Sequence, residues 1–97
     1  MKDMPIATAS ISWLDQDGQR HIRVYSSDGY TVTERCEDGQ TWTDGTFSES
    51  GSAVSATCWN DAAGTHIRVY CTFQDLTTEW CLDPGTGWTK GNYTVVD

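Results

Sequence analysis

A five-residue motif occurs twice in this chain and constrains its fold more than any other feature. His-Ile-Arg-Val-Tyr begins at His21 and again at His66, and each copy is followed by Thr-Glu-x-Cys. The two copies are 45 positions apart. The tryptophans around them repeat at a spacing of 46, with Trp13 matching Trp59 and Trp42 matching Trp88. A repeat of about 45 residues is typical of solenoids and propellers.

Length and charge limit the class of protein. A chain of 97 residues predicts one small domain, and each repeat alone is too short to bury its own core. With 6 Lys and Arg against 14 Asp and Glu, the net charge of −8 argues against nucleic acid and anionic membrane surfaces as partners. No apolar stretch is long enough to span a bilayer, and residues 1–5 lack the apolar run of a signal peptide. We therefore expect no membrane insertion, while the compartment stays open, secretion by a non-standard route included.

The four cysteines are predicted to be free thiols. Cys36 and Cys81 occupy equivalent positions in the repeat, which favours small buried packing residues over halves of a bridge. Cys58 and Cys71 have no counterpart in the other repeat. No Cys-x-x-Cys motif or matched histidine spacing is present, so the sequence predicts neither a metal site nor a cofactor.

Short runs of Ile, Val, Thr, Tyr and Trp, broken by Gly, Asp, Asn and Ser, predict an all-β chain without helices. The predicted strands are Ala7–Leu14, Arg20–Ser27, Tyr30–Cys36 and Thr41–Thr46 in the first repeat, and Ala53–Asn60, Thr65–Thr72, Leu76–Leu82 and Gly87–Asn92 in the second. Each repeat thus predicts a four-stranded antiparallel sheet, the composition of a propeller blade.

The predicted organisation is an N-terminal extension over residues 1–5, a first blade over 6–47, a linker over 48–52 and a second blade over 53–97. Two blades cannot close a ring, because propellers have about 4–8. A lone chain would leave apolar sheet faces exposed. Head-to-tail contacts between identical chains would cover them, with two chains giving four blades and three giving six.

One Arg–Glu pair in each repeat is the candidate binding element. A two-residue turn at Asp28-Gly29 predicts that Arg23 and Glu34 lie directly opposite each other on one sheet face. Arg68 and Glu79 are their equivalents, around a poorer turn sequence.

A guanidinium and a carboxylate side by side can hydrogen-bond the adjacent hydroxyls of one sugar, and Trp42 or Trp88 would supply a flat apolar platform. This pattern predicts a neutral monosaccharide site. The alternative interpretation is a cross-strand salt bridge that supports the sheet, although exposed pairs contribute only about 0–1 kcal/mol. His21 and His66 are interpreted as hydrogen-bonding residues, and Trp13 and Trp59 as packing residues.

The joint pattern resembles a known family. Ile-Arg-Val-Tyr, Thr-Glu-x-Cys and Gly-x-x-Trp-Thr-x-Gly, each present twice between Ser12 and Thr94, resemble the Aleuria-type fucose-binding lectins, and most closely their short two-blade bacterial and fungal members. The resemblance implies a six-bladed propeller of three chains. It also implies calcium-independent, non-catalytic binding of α-L-fucose between neighbouring blades, and multivalent binding of fucosylated glycans.

The resemblance further implies two kinds of sugar site, with backbone contacts from Gly45 and Gly91. The site within one chain would comprise Arg23, Glu34, Thr46, Ile67, Leu82 and Trp88. The site between chains would comprise Ile22, Glu37, Trp42, Arg68, Glu79 and Asn92. The position after the motif cysteine is often aromatic in that family, whereas here it is Glu37 or Leu82. Because Glu37 introduces a charge at an expected apolar wall, we expect the between-chain site to be weaker or more selective.

Two other functions compete with sugar binding. A glycoside hydrolase needs two carboxylates about 5–10 Å apart, whereas Glu34 and Glu79 belong to different repeats, and only Glu37 would approach Glu79 across chains. A structural or protein-binding propeller module without a sugar site is the other alternative.

Overall fold

The computed structural model describes residues 4–93 and has two four-stranded antiparallel sheets whose strands are adjacent in sequence order. The first sheet contains β1 (Ala7–Leu14), β2 (Arg20–Ser27), β3 (Thr31–Glu37) and β4 (Trp42–Ser50), and the second contains β5 (Ala53–Asp61), β6 (Gly64–Phe73), β7 (Leu76–Leu82) and β8 (Thr89–Lys90). The all-β prediction and the pair of four-stranded sheets are confirmed. Residues 4–93 include no helix that could cross a membrane.

Strand boundaries differ from the predictions mainly at the last strand of each sheet. β4 continues to Ser50, so it takes in the first three residues of the predicted linker over 48–52. β8 covers only Thr89–Lys90, where Gly87–Asn92 was predicted. The positions equivalent to the far half of β4 are 94–96, which lie outside the described residues, as does part of the N-terminal extension.

The predicted register of the first hairpin is wrong by two residues. Arg23 lies opposite Cys36, and Glu34 lies opposite Tyr25. The reason is the Asp28 carboxylate, which accepts hydrogen bonds from the backbone N–H groups of Tyr30 and Thr31, both at 3.0 Å. This closes a longer loop than the predicted two-residue turn at Asp28-Gly29. Arg23 and Glu34 still share one face, as diagonal neighbours.

The second hairpin has the same register, with Arg68 opposite Cys81 and Tyr70 opposite Glu79. Here the turn has two residues, Gln74 and Asp75, and Phe73 lies opposite Leu76. Both adopt positive φ angles, of 51° and 69°. That is the type I′ geometry that matches the twist of antiparallel strands but favours Asn and Gly over these side chains.

The core lies between the two sheets. We call the sheet face that carries Arg23, or Arg68 in the second sheet, the front face, and the opposite one the back face. The front of the first sheet packs on the back of the second. The buried apolar residues of the core come from both sheets and are Ile11, Tyr25, Val32, Phe47, Ile67, Val69 and Cys71. The front of the second sheet and the back of the first therefore face away from this core.

The cysteines are free, as predicted, and Cys36, Cys71 and Cys81 are buried while Cys58 is half-buried. Burial raises the pKa of the Cys71 thiol to about 11. These thiols thus act as small apolar packing groups.

Replacing Gln74 by Asn together with Asp75→Gly is expected to raise the free energy of unfolding by about 1 kcal/mol, because both native residues sit in the left-handed region. Chemical denaturation followed by tryptophan fluorescence measures the change. Asp28→Gly is the control in the equivalent hairpin, and it should lower stability because its carboxylate closes the loop. Equal effects of the two changes would contradict the assignment of the two turns.

Candidate functional site

The guanidinium of Arg23 is held on the front face by three groups. Its Nη1 donates to Asp38 Oδ1 at 2.8 Å and to the Ile22 carbonyl at 3.0 Å. Its Cζ lies 5.0 Å from the ring centre of Trp13. This cation–π contact and the ion pair fix the arginine on both sides.

Arg68 has the same surroundings in the second sheet. Its Nη1 lies 2.9 Å from Asp83 Oδ1 and 2.9 Å from the Ile67 carbonyl oxygen, and its Cζ lies 4.8 Å from the ring centre of Trp59. The same three contacts therefore hold the arginine in both repeats.

The glutamates bond to tyrosines. The Tyr25 hydroxyl donates to Glu34 Oε2 at 2.8 Å, and the Phe47 N–H donates to Oε1 at 3.4 Å. Glu79 accepts from the Tyr70 hydroxyl at 2.8 Å and from the Tyr93 N–H at 3.2 Å. The tyrosine hydrogen bond lowers the pKa of Glu79, so this group is a carboxylate at neutral pH.

Neither Arg–Glu pair forms a salt bridge among the residues that the structure describes. Arginine and glutamate in each sheet have separate partners, in contrast to the cross-strand salt bridge of the alternative interpretation. Each pair is therefore two independently anchored groups that share one face, with bonding capacity left over on both.

Glycines bring the last strand close to each glutamate. β4 has a bulge, with a shift of register between Thr33 and Arg35. A Cβ atom on Gly45 would collide with the Glu34 carboxylate, and one on Gly91 would collide with that of Glu79. Any larger residue there would displace the carboxylate, which explains the glycine in both repeats.

A histidine with two carboxylates supports each arginine. His21 Nδ1 lies 2.6 Å from Asp38 Oδ1 and its Nε2 lies 2.9 Å from Asp15 Oδ2, while the ring stacks on Trp13 with centres 5.2 Å apart. The hydrogen bonds to Asp38 and Asp15 raise the pKa of His21. The His21 hydrogen bond, followed by that of Arg23, lowers the pKa of Asp38.

The second sheet repeats this cluster. His66 Nδ1 lies 2.6 Å from Asp83 Oδ1, its Nε2 lies 2.8 Å from Asp61 Oδ2, and its ring stacks on Trp59 at 5.0 Å. Sequence reasoning missed the four aspartates. The repeat period would have identified them, because Asp38 and Asp83 are 45 positions apart and Asp15 and Asp61 are 46 apart, the same spacings as the motif and the tryptophans.

The candidate residues of the within-chain site lie along the seam between the two sheets. Trp88 packs against Phe47, with ring centres 4.7 Å apart, and Ile67 and Leu82 belong to the same apolar cluster. Thr46 is exposed and lines a groove of about 710 Å³ together with Glu34. Because Trp88 is half-buried and meets Phe47 at 65°, it forms an apolar wall of the seam.

The candidate residues of the between-chain site are split between the two outer faces. Ile22, Glu37 and Trp42 are cross-strand neighbours on the back of the first sheet. Arg68 and Glu79 lie on the front of the second sheet, and Asn92 follows β8. The chain by itself does not bring these halves together.

Glu37 is not an isolated charge. Arg20 forms a two-pronged ion pair with it, through Nε at 3.2 Å and Nη2 at 2.9 Å, and this pairing lowers the pKa of Glu37. Thr65 and Leu82 occupy the two positions in the second repeat. One back face therefore has an ion pair where the other has two uncharged side chains.

Comparison of the sequence with protein-family models gives no match, and a search of curated proteins also finds none. Within residues 4–93, no cluster of three or more His, Cys, Asp or Glu side chains is arranged to hold a metal ion.

Tyr25→Phe is expected to lower the free energy of unfolding by about 1–3 kcal/mol, because the buried Glu34 carboxylate loses a hydrogen-bond donor. Tyr70→Phe is the matched control. It removes the same hydroxyl from a more exposed pair and should lower stability by less than about 1 kcal/mol. Denaturant titration of both variants measures the difference, and an equal loss would contradict the asymmetry of burial between the two sheets.

Proposed function

We propose that this protein is a non-catalytic lectin that binds α-L-fucose and fucosylated glycans at seams between sheets, and that three chains close a six-bladed propeller. The observation that carries the proposal is the twofold occurrence of an arginine and a glutamate that share one face without pairing to each other. The resemblance of the motifs to the Aleuria-type lectins supports the choice of fucose.

Spare hydrogen-bonding capacity supports the role in sugar binding. Among the described contacts, Arg23 uses only Nη1, and each Glu34 oxygen accepts one hydrogen bond. A guanidinium has five N–H donors and a carboxylate about four acceptor positions. The unused ones match the vicinal hydroxyls of a neutral sugar, and the apolar groups of the seam match its carbon-bound hydrogens.

The seam within the chain offers a template for the contacts between chains. Tyr25 and Phe47, on the covered front face, are 0% and 2% exposed, while Tyr93, the equivalent of Phe47, is 47% exposed. The back faces show the reverse: Val69 is fully buried, and its equivalent Val24 is only half-buried. Because the two outer faces are repeat-equivalents of the two that already pack together, a copy added head-to-tail would cover one of them, and closure of a ring would cover both.

Contacts between the first strands of the two sheets support a rotational arrangement. The Asn60 amide donates to the Leu14 carbonyl at 3.0 Å, and the Cys58 thiol lies 3.6 Å from the Ser12 carbonyl oxygen. Both pairs join equivalent positions, 46 residues apart. Equivalent positions come closest near an axis of rotation, so β1 and β5 are the innermost strands of the proposed ring. Several sites on one ring would bind clustered glycans more tightly than one site.

Calorimetric titration with L-fucose tests the sugar site, and L-galactose, which adds a hydroxyl to the methyl carbon, is the ligand control. We expect two sites per chain. Arg23→Ala and Arg68→Ala should each weaken one of them by about ten- to a hundredfold, because a hydrogen bond to a charged group contributes about 1.5–3 kcal/mol. The site that survives in Arg23→Ala, which contains Glu37, should be the weaker. Absence of fucose binding to the parent chain would refute the proposal.

Alanine substitutions at Val69 and at its repeat equivalent Val24 test the assembly. Val69→Ala should lower the free energy of unfolding by about 2–3 kcal/mol, because it leaves a cavity between the sheets. In a closed ring Val24→Ala should cost about as much, whereas in a lone chain it should cost clearly less. Native mass spectrometry in parallel should give three times the 10.8 kDa of one chain. A single-chain mass with a small Val24→Ala effect would rule out the ring.

A further inference from the structure

We propose that His21 and His66 are positioning residues for the two arginines: each ring, held between two carboxylates, fixes the aspartate that in turn holds the guanidinium. The assignment of those guanidinium groups to a sugar rests on the proposed function. The histidines themselves are not expected to touch the sugar.

The contacts form a continuous chain of four charged groups. Asp15 contacts one nitrogen of His21, Asp38 contacts the other, and the same Asp38 oxygen accepts the hydrogen bond from Arg23. Trp13 lies against both cations, stacked on the imidazole at an angle of 14° and 5.0 Å from the guanidinium carbon. The ion pair of Arg23 thus runs through a carboxylate that the histidine also binds.

The second repeat reproduces the ion pairs of this cluster with a different turn, but the 2.8 Å contact of His66 Nε2 with Asp61 Oδ2 lies outside hydrogen-bond geometry. Asp61 replaces Asp15, Asp83 replaces Asp38, and Trp59 lies 8° from parallel with the ring of His66. The turn before His21 reads Asp-Gln-Asp-Gly and the one before His66 reads Asp-Ala-Ala-Gly. Two turns of different sequence place a carboxylate at the same nitrogen, which argues for a requirement of the arrangement.

The protonation state of the ring decides whether both carboxylates can be held. An imidazolium donates from both nitrogens, whereas a neutral imidazole donates from one only. Loss of the proton leaves a lone pair facing one carboxylate and gives the cluster of one histidine, one arginine and two aspartates a net negative charge. One aspartate must then move away, which loosens the anchor of the arginine.

The direction of the pH dependence follows from the neighbours. The aspartates raise the pKa of both histidines above the usual value, so the bridged state is complete at low pH and is lost as the pH rises through the raised pKa. The other titratable groups near the arginines are Cys36, Glu34 and Tyr25 in the first sheet and Cys81, Glu79 and Tyr70 in the second. Burial raises the pKa of both thiols, the pKa of both tyrosines is also raised, and the Tyr70 hydrogen bond lowers the pKa of Glu79, so the pKa values of the thiols, the tyrosines and Glu79 are shifted away from the range in which the histidines titrate.

Nitrogen-15 NMR of the intact chain, from about pH 5.5 to about pH 9, tests the inference without any sugar. The Nε–H signals of Arg23 and Arg68 should change with the same midpoints as the rings of His21 and His66. Arg35, which pairs with Asp44 on the back face, is the internal control and should not change. Arginine signals that stay constant while the histidines titrate would overturn the proposal.

A matched pair of turn variants locates the effect. Asp15→Asn should lower the midpoint of His21 and leave His66 unchanged, because Asp15 contacts the His21 ring and not that of His66. Asp17→Asn, in the same turn and with the same change of charge, should leave both midpoints in place. Equal midpoints for His21 in the two variants would contradict the bridged geometry. Asn at position 15 keeps the side-chain oxygen that accepts from the backbone N–H groups of Asp17 and Gln19, and Asp17 is exposed, so we expect both variants to fold.

Fucose titrations at about pH 6 and about pH 8.5 complete the experiment. We expect the affinity to fall about three- to tenfold at the higher pH, and His21→Gln with His66→Gln to remove this dependence. Fucose binding that is equal at both pH values would overturn the role of the histidines in the site. If fucose binds at neither pH while the arginine signals follow the histidines, the proposed function fails and the positioning of the arginines stands.

Discussion

Each sheet of this protein has apolar residues on both faces, and this fact governs the rest of the structure. Two sheets in one chain form one seam, which covers the front of the first sheet and the back of the second. Tyr25 and Val69 are therefore fully buried, while Trp59 and Trp42 remain 44% exposed on the outer faces. Because the apolar area left outside is equivalent to the area already packed, the same contact can recur between copies.

Periodicity and turn chemistry were enough to predict the sheets. β1, β2 and β7 have the predicted bounds because their runs of apolar residues and Thr or Ser end at turns that contain Asp or Gly. These patterns did not predict the register of the first hairpin. It depends on the Asp28 carboxylate capturing two backbone N–H groups, which adds residues to the loop. Sequence patterns predict that a turn exists better than they predict its length.

The candidate site was predicted by residue type but not by contact. The arginines and glutamates share a face, as the spacing suggested. Their hydrogen-bond partners are nevertheless other residues, Asp38 for Arg23 and Tyr25 for Glu34. Asp38 and Asp15 come together only because the β1–β2 turn and the β3–β4 loop end at the same edge of the sheet. The aspartates are at equivalent positions of the two repeats, but their contacts with histidine and arginine are visible only in the structure. The two back faces differ in both members of one pair, because Thr65 and Leu82 stand where the first repeat has Arg20 and Glu37.

The buried thiol of Cys71 gives the molecule a built-in reporter. It is 1% exposed, lies in the contact between the two sheets, and has a pKa raised to about 11. A thiol reacts as its thiolate, so Cys71 is protected both by lack of access and by lack of charge. Its rate of alkylation therefore measures how often the two halves of the chain separate.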